Sequence, residues 1–310
     1  MANSMNKYAF SILILLGTLL LGAGSASAGA GGLKVIATIR PLHSLVAGVM
    51  HGLGTPKLLI ESGSAHTYTV KPSDAQALEQ AQLVFWIGPE LENFLRRPLA
   101  TLATKAKLIT LSDTEGLKLL KTRSAAHGYP GAVDMHLWLD PDNAKKLTRR
   151  IVKVLARTDP SNAEAYEANG AYQIDKLTEL TSDIEEILAS AGDVKSIFYH
   201  DAFQYFEQRF GLKSAGFVTT GSNRAPGARH VHDLRETILS GGADCVLTEP
   251  QFAPSLLPSL TKNSRIQVGV LDPIGAGWVP GTDLYFNMMR HNAEALRKCA
   301  AGNPPPAPGD

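Results

Sequence analysis

The stretch TDPSNAEAYEANGAYQIDKLTELTSDIEEILASAG, residues 158 to 192, decides how the rest of the chain can be arranged. It holds no proline after Pro160 and is filled mostly with strong helix formers. The segment therefore reads as one helix, opened at Pro160 and Ser161 and stopped at Gly192. Ala165, Ala168, Tyr172, Leu177, Leu180, Ile184 and Leu188 recur at spacings of three to five and predict its apolar face. At about 1.5 Å per residue such a helix reaches roughly 45 Å, enough to run along two domains.

Outward from this helix, both flanks alternate short apolar runs with amphipathic segments of helical period, the pattern of α/β units with parallel sheets. Before it, KVIATI (34–39) and LVFWIG (83–88) read as strands. SDAQALEQA (73–81) reads as a helix capped by Ser73, and a basic helix capped by Asp142 or Asn143 runs to about Arg157. After it, VKSIFYH (194–200), GADCVLTEP (242–250) and IQVGVLDP (266–273) read as strands. A chain of this length with 44% hydrophobic residues buries a large core, and the usual limit on single cores favours two domains.

The N-terminus carries a different signal. Lys7 is followed by the apolar run YAFSILILLGTLLLGAG (8–24) and then by Ala26-Ser27-Ala28, so residues 1–28 read as a secretory signal peptide with its cleavage site. The run is short for a spanning helix, and no cysteine follows the site to take a lipid anchor. The mature chain is expected outside the cytoplasm. Of 30 basic and 29 acidic residues one, Lys7, leaves with the leader, so 29 of each remain and no global field recruits nucleic acid or an anionic membrane. The two cysteines, Cys245 and Cys299, read as a disulfide in an exported protein, the other reading being two buried thiols. Closing that loop would stabilise the fold by about 4 kcal/mol on the chain-entropy model. The end, GNPPPAPGD (302–310), reads as a disordered tail.

No short catalytic signature is present: there is no G-x-S-x-G, H-E-x-x-H, P-loop or C-x-x-C. Polar residues do stand at the carboxyl ends of strand-like runs, where open α/β sheets bind ligands. Four are dispersed evenly, His66, His136 (in DMHLWLDPDN, 134–143), His200 and Asp272, with separations of 70, 64 and 72 residues. Two come from each half, so a cleft between domains could gather them. Three imidazoles and one carboxylate suit tetrahedral Zn2+, whereas manganese prefers more oxygen. Any one of these histidines taken singly is more often structural.

The local contexts of these residues carry more than their spacing. IATIRPLHSLVAGV (36–49), HTYTVKPSDAQALEQAQLVFWIGPELENFL (66–95), DMHLWLDPDNA (134–144), FYHDAFQYFEQRFGL (198–212), CVLTEPQF (245–252) and VGVLDPIG (268–275) occur in order over nearly the whole mature chain. In these segments the chain resembles the metal-binding solute receptors of ABC importers, of the ZnuA and TroA type, and within them the zinc-binding branch. The resemblance implies two α/β lobes, each with a parallel-type sheet flanked by helices, joined by one long rigid linker helix. In this chain these would be residues 33–158, 159–192 and 193–301. It implies His66, His136 and His200 as imidazole ligands and Asp272 as the carboxylate ligand, with a histidine at the third position separating zinc from manganese receptors. It also implies a Cys245 to Cys299 disulfide, zinc as the transported ligand, a membrane ABC permease as partner, a periplasmic location, a monomer, and no catalysis. Two departures stand out. The zinc branch often carries a long His-rich acidic loop between its first two ligands, where KTRSAAHGYPGAV (121–133) holds only His127. Ala65 precedes the first ligand where some relatives have glutamate, which leaves Asp272 or water as the fourth ligand.

Other candidates read more plainly. His230 and His232 form an H-x-H pair best taken as the solvated approach to a helix, His43 as a helix-start surface residue, and His51 and His291 as helix-surface residues. Asp201 is a candidate acceptor for the His200 ring or a helix cap, and Trp86, Trp138 and Trp278 could wall the site or simply be core. Two other functions compete. A manganese or iron receptor would share the fold, and a zinc hydrolase would use three histidines and an open position to activate water.

Overall fold

The computed structural model describes residues 32–123, 132–219, 226–251 and 256–302. The predicted leader, His127 and positions 303–310 of the tail lie outside the described residues.

The described residues form two parallel four-stranded sheets, each flanked by helices. β1 (Val35–Ala37), β2 (Lys57–Leu58), β3 (Leu83–Trp86) and β4 (Lys107–Thr110) form the first, in the order β2-β1-β3-β4. β5 (Lys195–His200), β6 (Lys213–Thr219), β7 (Cys245–Thr248) and β8 (Gln267–Val270) form the second, in the order β6-β5-β7-β8. Every neighbouring pair is parallel, and the two orders are the same: second strand, first, third, fourth. The α/β class with two sheets is the one the sequence predicts. Parallel pairing forces helical crossovers onto the sheet faces, supplied by α1 (Arg40–Val49), α2 (Pro72–Gln80) and α3 (Arg96–Thr101) in the first half. After α4 (Pro141–Thr158) and α5 (Ala163–Ala189), the second half has α6 (Gln204–Phe210), α7 (Ala228–Leu239), α8 (Leu257–Thr261) and α9 (Leu284–Ala301). None of the described helices is long and apolar enough to cross a membrane.

The long helix α5 forms over 27 residues after a 3-10 turn at Pro160–Asn162, and Gly192 beyond it adopts a left-handed φ of 61°. Its apolar face is rotated from the predicted one in the first half. Ala168 and Tyr172 are exposed, while the buried stripe runs Tyr166, Gly170, Gln173, Leu177, Leu180, Thr181, Ile184 and Leu188. Two residues that do not look apolar explain the shift. Gly170 lets Val152 of α4 pack against the bare backbone, and Gln173 is buried because its amide donates to Leu45 O (3.0 Å) and Thr148 Oγ1 (3.2 Å). Leu177 to Leu188 belong to one continuous core with residues of β1, β3, α1, β5 and α9.

Two helix starts also differ from expectation. α2 begins at Pro72, and it is the Asp74 carboxylate, not Ser73, that reaches back to accept Lys71 N–H at 2.9 Å. Asp140 caps α4 by accepting Asp142 N–H at 2.9 Å, with Pro141 as the first helical residue. In the second half, Cys245 of β7 and Cys299 of α9 form a disulfide with a Cα separation of 5.7 Å, as the cysteine count predicts.

Candidate metal centre

In each sheet the strand order reverses between the first strand and the third, and the carboxyl ends there open a crevice. In the second sheet that crevice is lined by His200, the last residue of β5, and Glu249, the residue after β7. In the first sheet the corresponding end of β3 is occupied by Glu92, fully buried, whose Oε2 accepts Ile87 N–H (2.8 Å) and Gly88 N–H (3.2 Å).

The first half brings its histidines on connections rather than strand ends. His66 lies in the segment between β2 and α2, half-buried, with its N–H on Ser64 Oγ at 3.1 Å. His136 precedes a buried 3-10 turn at Leu137–Leu139 that leads directly into α4. That turn is packed from the other half: Trp138 Nε1 donates to Pro273 O (2.7 Å), and Tyr285 OH donates to Trp138 O (2.6 Å). The Trp138 ring stands 5.4 Å from that of His136, so this tryptophan does wall the site, whereas Trp86 donates to Thr110 Oγ1 within the first half's core.

The three imidazoles converge. Nε2 of His136 is 3.1 Å from Nε2 of His66 and 3.5 Å from Nε2 of His200, and the three donor atoms all lie within 4.8 Å of one another. Bonds of about 2.0 to 2.1 Å in tetrahedral geometry place neighbouring nitrogens roughly 3.3 to 3.4 Å apart, and the two separations from His136 match this to within a few tenths. The outer nitrogens are held by carboxylates: His136 Nδ1 donates to Asp134 Oδ1 at 2.7 Å, and His200 Nδ1 donates to Glu249 Oε1. With the proton on Nδ1, each Nε2 presents a lone pair to the centre, the arrangement that orients an imidazole for a metal and raises its basicity. Asp134 and Glu249 went unread in the sequence, although Asp134 stands two residues from His136. Asp201, read as either an acceptor for the His200 ring or a helix cap, instead takes Arg123, and α6 starts after Phe203 with no side-chain cap.

Asp272 is buried two residues beyond β8, but its carboxylate is not one of the grouped atoms. Oδ1 accepts Ile274 N–H (3.2 Å) and Oδ2 accepts Gly277 N–H (3.0 Å). Around the imidazoles, Asp134, Asp201, Glu207, Glu249 and Asp272 are all buried, and Arg123 pairs with two of them, Asp201 and Glu207. Among the described residues buried carboxylates outnumber cations here, the setting a divalent ion can complete.

The remaining described histidines stay apart from this cluster. His43 is buried in α1 rather than at the surface, with Nε2 3.0 Å from Pro56 O. His230 and His232 lie within α7, not before it, and the His230 ring bonds Phe217 O at 2.7 Å. His51 and His291 are exposed, and Trp278 is half-buried with its ring 6.0 Å from that of His291.

The chain is similar to known proteins over most of its length. The family model described as zinc-uptake complex component A, periplasmic (ZnuA), matches residues 35–299. A high-affinity zinc uptake system protein ZnuA of Brucella abortus (strain 2308) is 39% identical over 303 residues, covering 86% of this chain and 91% of the relative. A crystal structure of ZnuA superposes with a TM-score of 0.77 at 23% identity, covering 87% of this chain and all of that one. The solute-binding protein FpvC of Pseudomonas aeruginosa, solved with Mn2+, gives a TM-score of 0.78 at 20% identity, covering 87% of this chain and 99% of that one. The extent of the family match and the identity to the Brucella protein establish that this chain belongs to the ZnuA family of periplasmic zinc-uptake components.

Proposed function

We propose that this protein is an extracytoplasmic solute-binding protein that captures Zn2+ between its two lobes and delivers it to a membrane ABC permease for uptake. The observation that carries the reading is the convergence of the Nε2 atoms of His66, His136 and His200, two of them backed by buried carboxylates. Asp272 or a water completes the fourth position; the Asp272 oxygens keep lone pairs beyond the amides they already accept. The lobes correspond to residues 33–158 and 193–301, with 159–192 as linker, and the protein acts as a periplasmic monomer after loss of its leader.

Metal selection rests on the donor set, because the same fold holds Mn2+ in FpvC. Three nitrogen donors suit zinc better than manganese. Hydrolysis is disfavoured because the carboxylates nearest the centre, Asp134 and Glu249, are engaged in holding imidazoles and leave no evident general base. The test is elemental analysis of protein purified without added metal, repeated on His66→Ala. About one zinc per chain, lost in the variant, is expected. Preference for Mn2+ over Zn2+ in competition would overturn the metal assignment, and ester or CO2 hydration lost in His136→Ala would overturn the receptor reading.

A further inference from the structure

The connection that returns from β4 to the metal cluster is pinned as a narrow ladder. Thr122 N–H donates to Ala132 O and Asp134 N–H to Leu120 O, both at 2.8 Å, with Lys121 bridged to Val133 between them. One end of the ladder delivers Asp134 and His136. Arg123 stands at the other end, and its side chain crosses to the second lobe.

There its guanidinium meets two carboxylates and a ring, while the side chain stays 30% exposed. Nη1 donates to Glu207 Oε2 at 2.6 Å and Nη2 to Glu207 Oε1 at 2.9 Å, while Nε donates to Asp201 Oδ1 at 3.1 Å and Nη2 bonds the same oxygen. The guanidinium lies over the Phe217 ring, 4.7 Å from Cζ to the centroid. Asp201 and Glu207 are 2% and 4% exposed, and Asp201 directly follows His200. Beside this contact Tyr205 of α6 accepts Leu120 N–H (3.0 Å) and donates to Asp134 O (2.7 Å). Zinc coordination as proposed above uses none of these groups. A forked guanidinium shared by two buried carboxylates and a ring is among the stronger polar contacts a protein makes. Without it, Asp201 and Glu207 would stand as uncompensated buried anions in a neighbourhood that already holds Asp134 and Glu249.

We propose that Arg123 is a positioning residue for the metal centre: it couples the ladder that carries His136 to the turn that directly follows His200, and so sets how long the ion stays. The inference rests on the zinc-receptor reading. It places the effect on release rather than capture, because Arg123 touches no ligand atom and holds together two elements that must part for the ion to leave.

The experiment is chelator capture of zinc from preloaded full-length protein, followed by stopped flow, for the unsubstituted chain, Arg123→Gln and Arg123→Lys, with thermal melts of the metal-free forms alongside. Arg123→Gln is expected to load zinc with an association rate within about twofold of the parent and to release it at least about tenfold faster. Arg123→Lys is expected to restore part of the slow release, since an ammonium reaches one carboxylate but cannot fork across both. Unchanged release with lowered metal-free melting overturns the inference, because Arg123 then only holds the fold. Should Arg123→Gln not fold, Glu207→Gln carries the same test: faster release supports the coupling and unchanged release overturns it. If the unsubstituted protein takes up no zinc, the functional reading fails and this inference falls with it, an outcome distinct from unchanged release by a loaded protein.

Discussion

A single oxygen, Oδ1 of Asp134, accepts both the backbone N–H of His136 at 3.0 Å and its ring Nδ1–H at 2.7 Å. The side chain thereby fixes the position and the rotation of a ligand two residues along the chain. Asp134→Asn keeps an acceptor but removes the charge that makes the imidazole more basic. Zinc affinity is expected to fall roughly ten- to a hundredfold. Competition against a chelator of known affinity checks this, and an unchanged affinity would remove the carboxylate from any role at the site.

Affinity should also depend on pH in a window set by His200. Burial works to lower the pKa of this ring, but the charge of Glu249 and the hydrogen bond to it, with Asp134 and Asp201 beyond, prevail and raise it above the ordinary 6.5. Zinc must displace that proton, so binding weakens as pH falls toward a value above 6.5. The metal-free fold responds with the opposite sign. A raised histidine pKa contributes stability that is fully present below 6.5 and is lost as pH rises through the folded value. The melting difference between loaded and metal-free protein is therefore expected to shrink on acidification, as scanning fluorimetry across this range would record.

Glu92 sets a second pH dependence, away from the ion. Burial pushes its carboxyl from 4.5 up to about 7, against the pull of the Ile87 and Gly88 amides. The native state thus binds a proton that the unfolded state releases between 4.5 and about 7, and stability falls as pH rises through that window. The loss is on the order of 3 kcal/mol. Glu92→Gln keeps an acceptor for both amides and carries no charge, so its stability in denaturant titrations is expected to be flat there and to exceed the parent's above it. Parallel pH profiles for parent and variant would contradict the assignment.

At Gly170 the backbone of α5 comes close against Val152 of α4. A Cβ placed on it would sit 2.2 Å from Val152 Cγ2. Gly170→Ala gains about 1 kcal/mol in helix propensity, yet overpacking of about 1 to 3 kcal/mol should make it destabilising on balance. Val152→Ala in the same chain is expected to recover most of the loss. Equilibrium unfolding of the two single variants and the double variant measures this, and a double variant no more stable than Gly170→Ala would show that the two residues do not compete for the same space.

The three histidines were legible because their local contexts are specific to one family; the strand-end placement read for them holds for His200 alone, His66 and His136 lying on connections. Their carboxylate partners were not legible in the same way: Glu249 reaches His200 from a neighbouring strand 49 residues on, and only the sheet brings the two together. Likewise the α5 face was read correctly from Leu177 onward, where leucine and isoleucine carry the period. It failed where a glycine chosen for close approach and a glutamine chosen for hydrogen bonding take the buried positions. Periodicity registers hydrophobicity, and these two residues are inside for other reasons.

The repeated strand order has one more consequence, and it concerns stoichiometry. A topology used twice offers two crevices at the carboxyl ends of its strands, and a protein meant to carry a single ion between them must close one. Glu92 does so, turning its carboxylate onto the amides at the end of β3, while the equivalent end of β7 keeps Glu249 for His200. The first lobe is left to contribute through its connections, and on the proposed reading the pair would hold one ion rather than two.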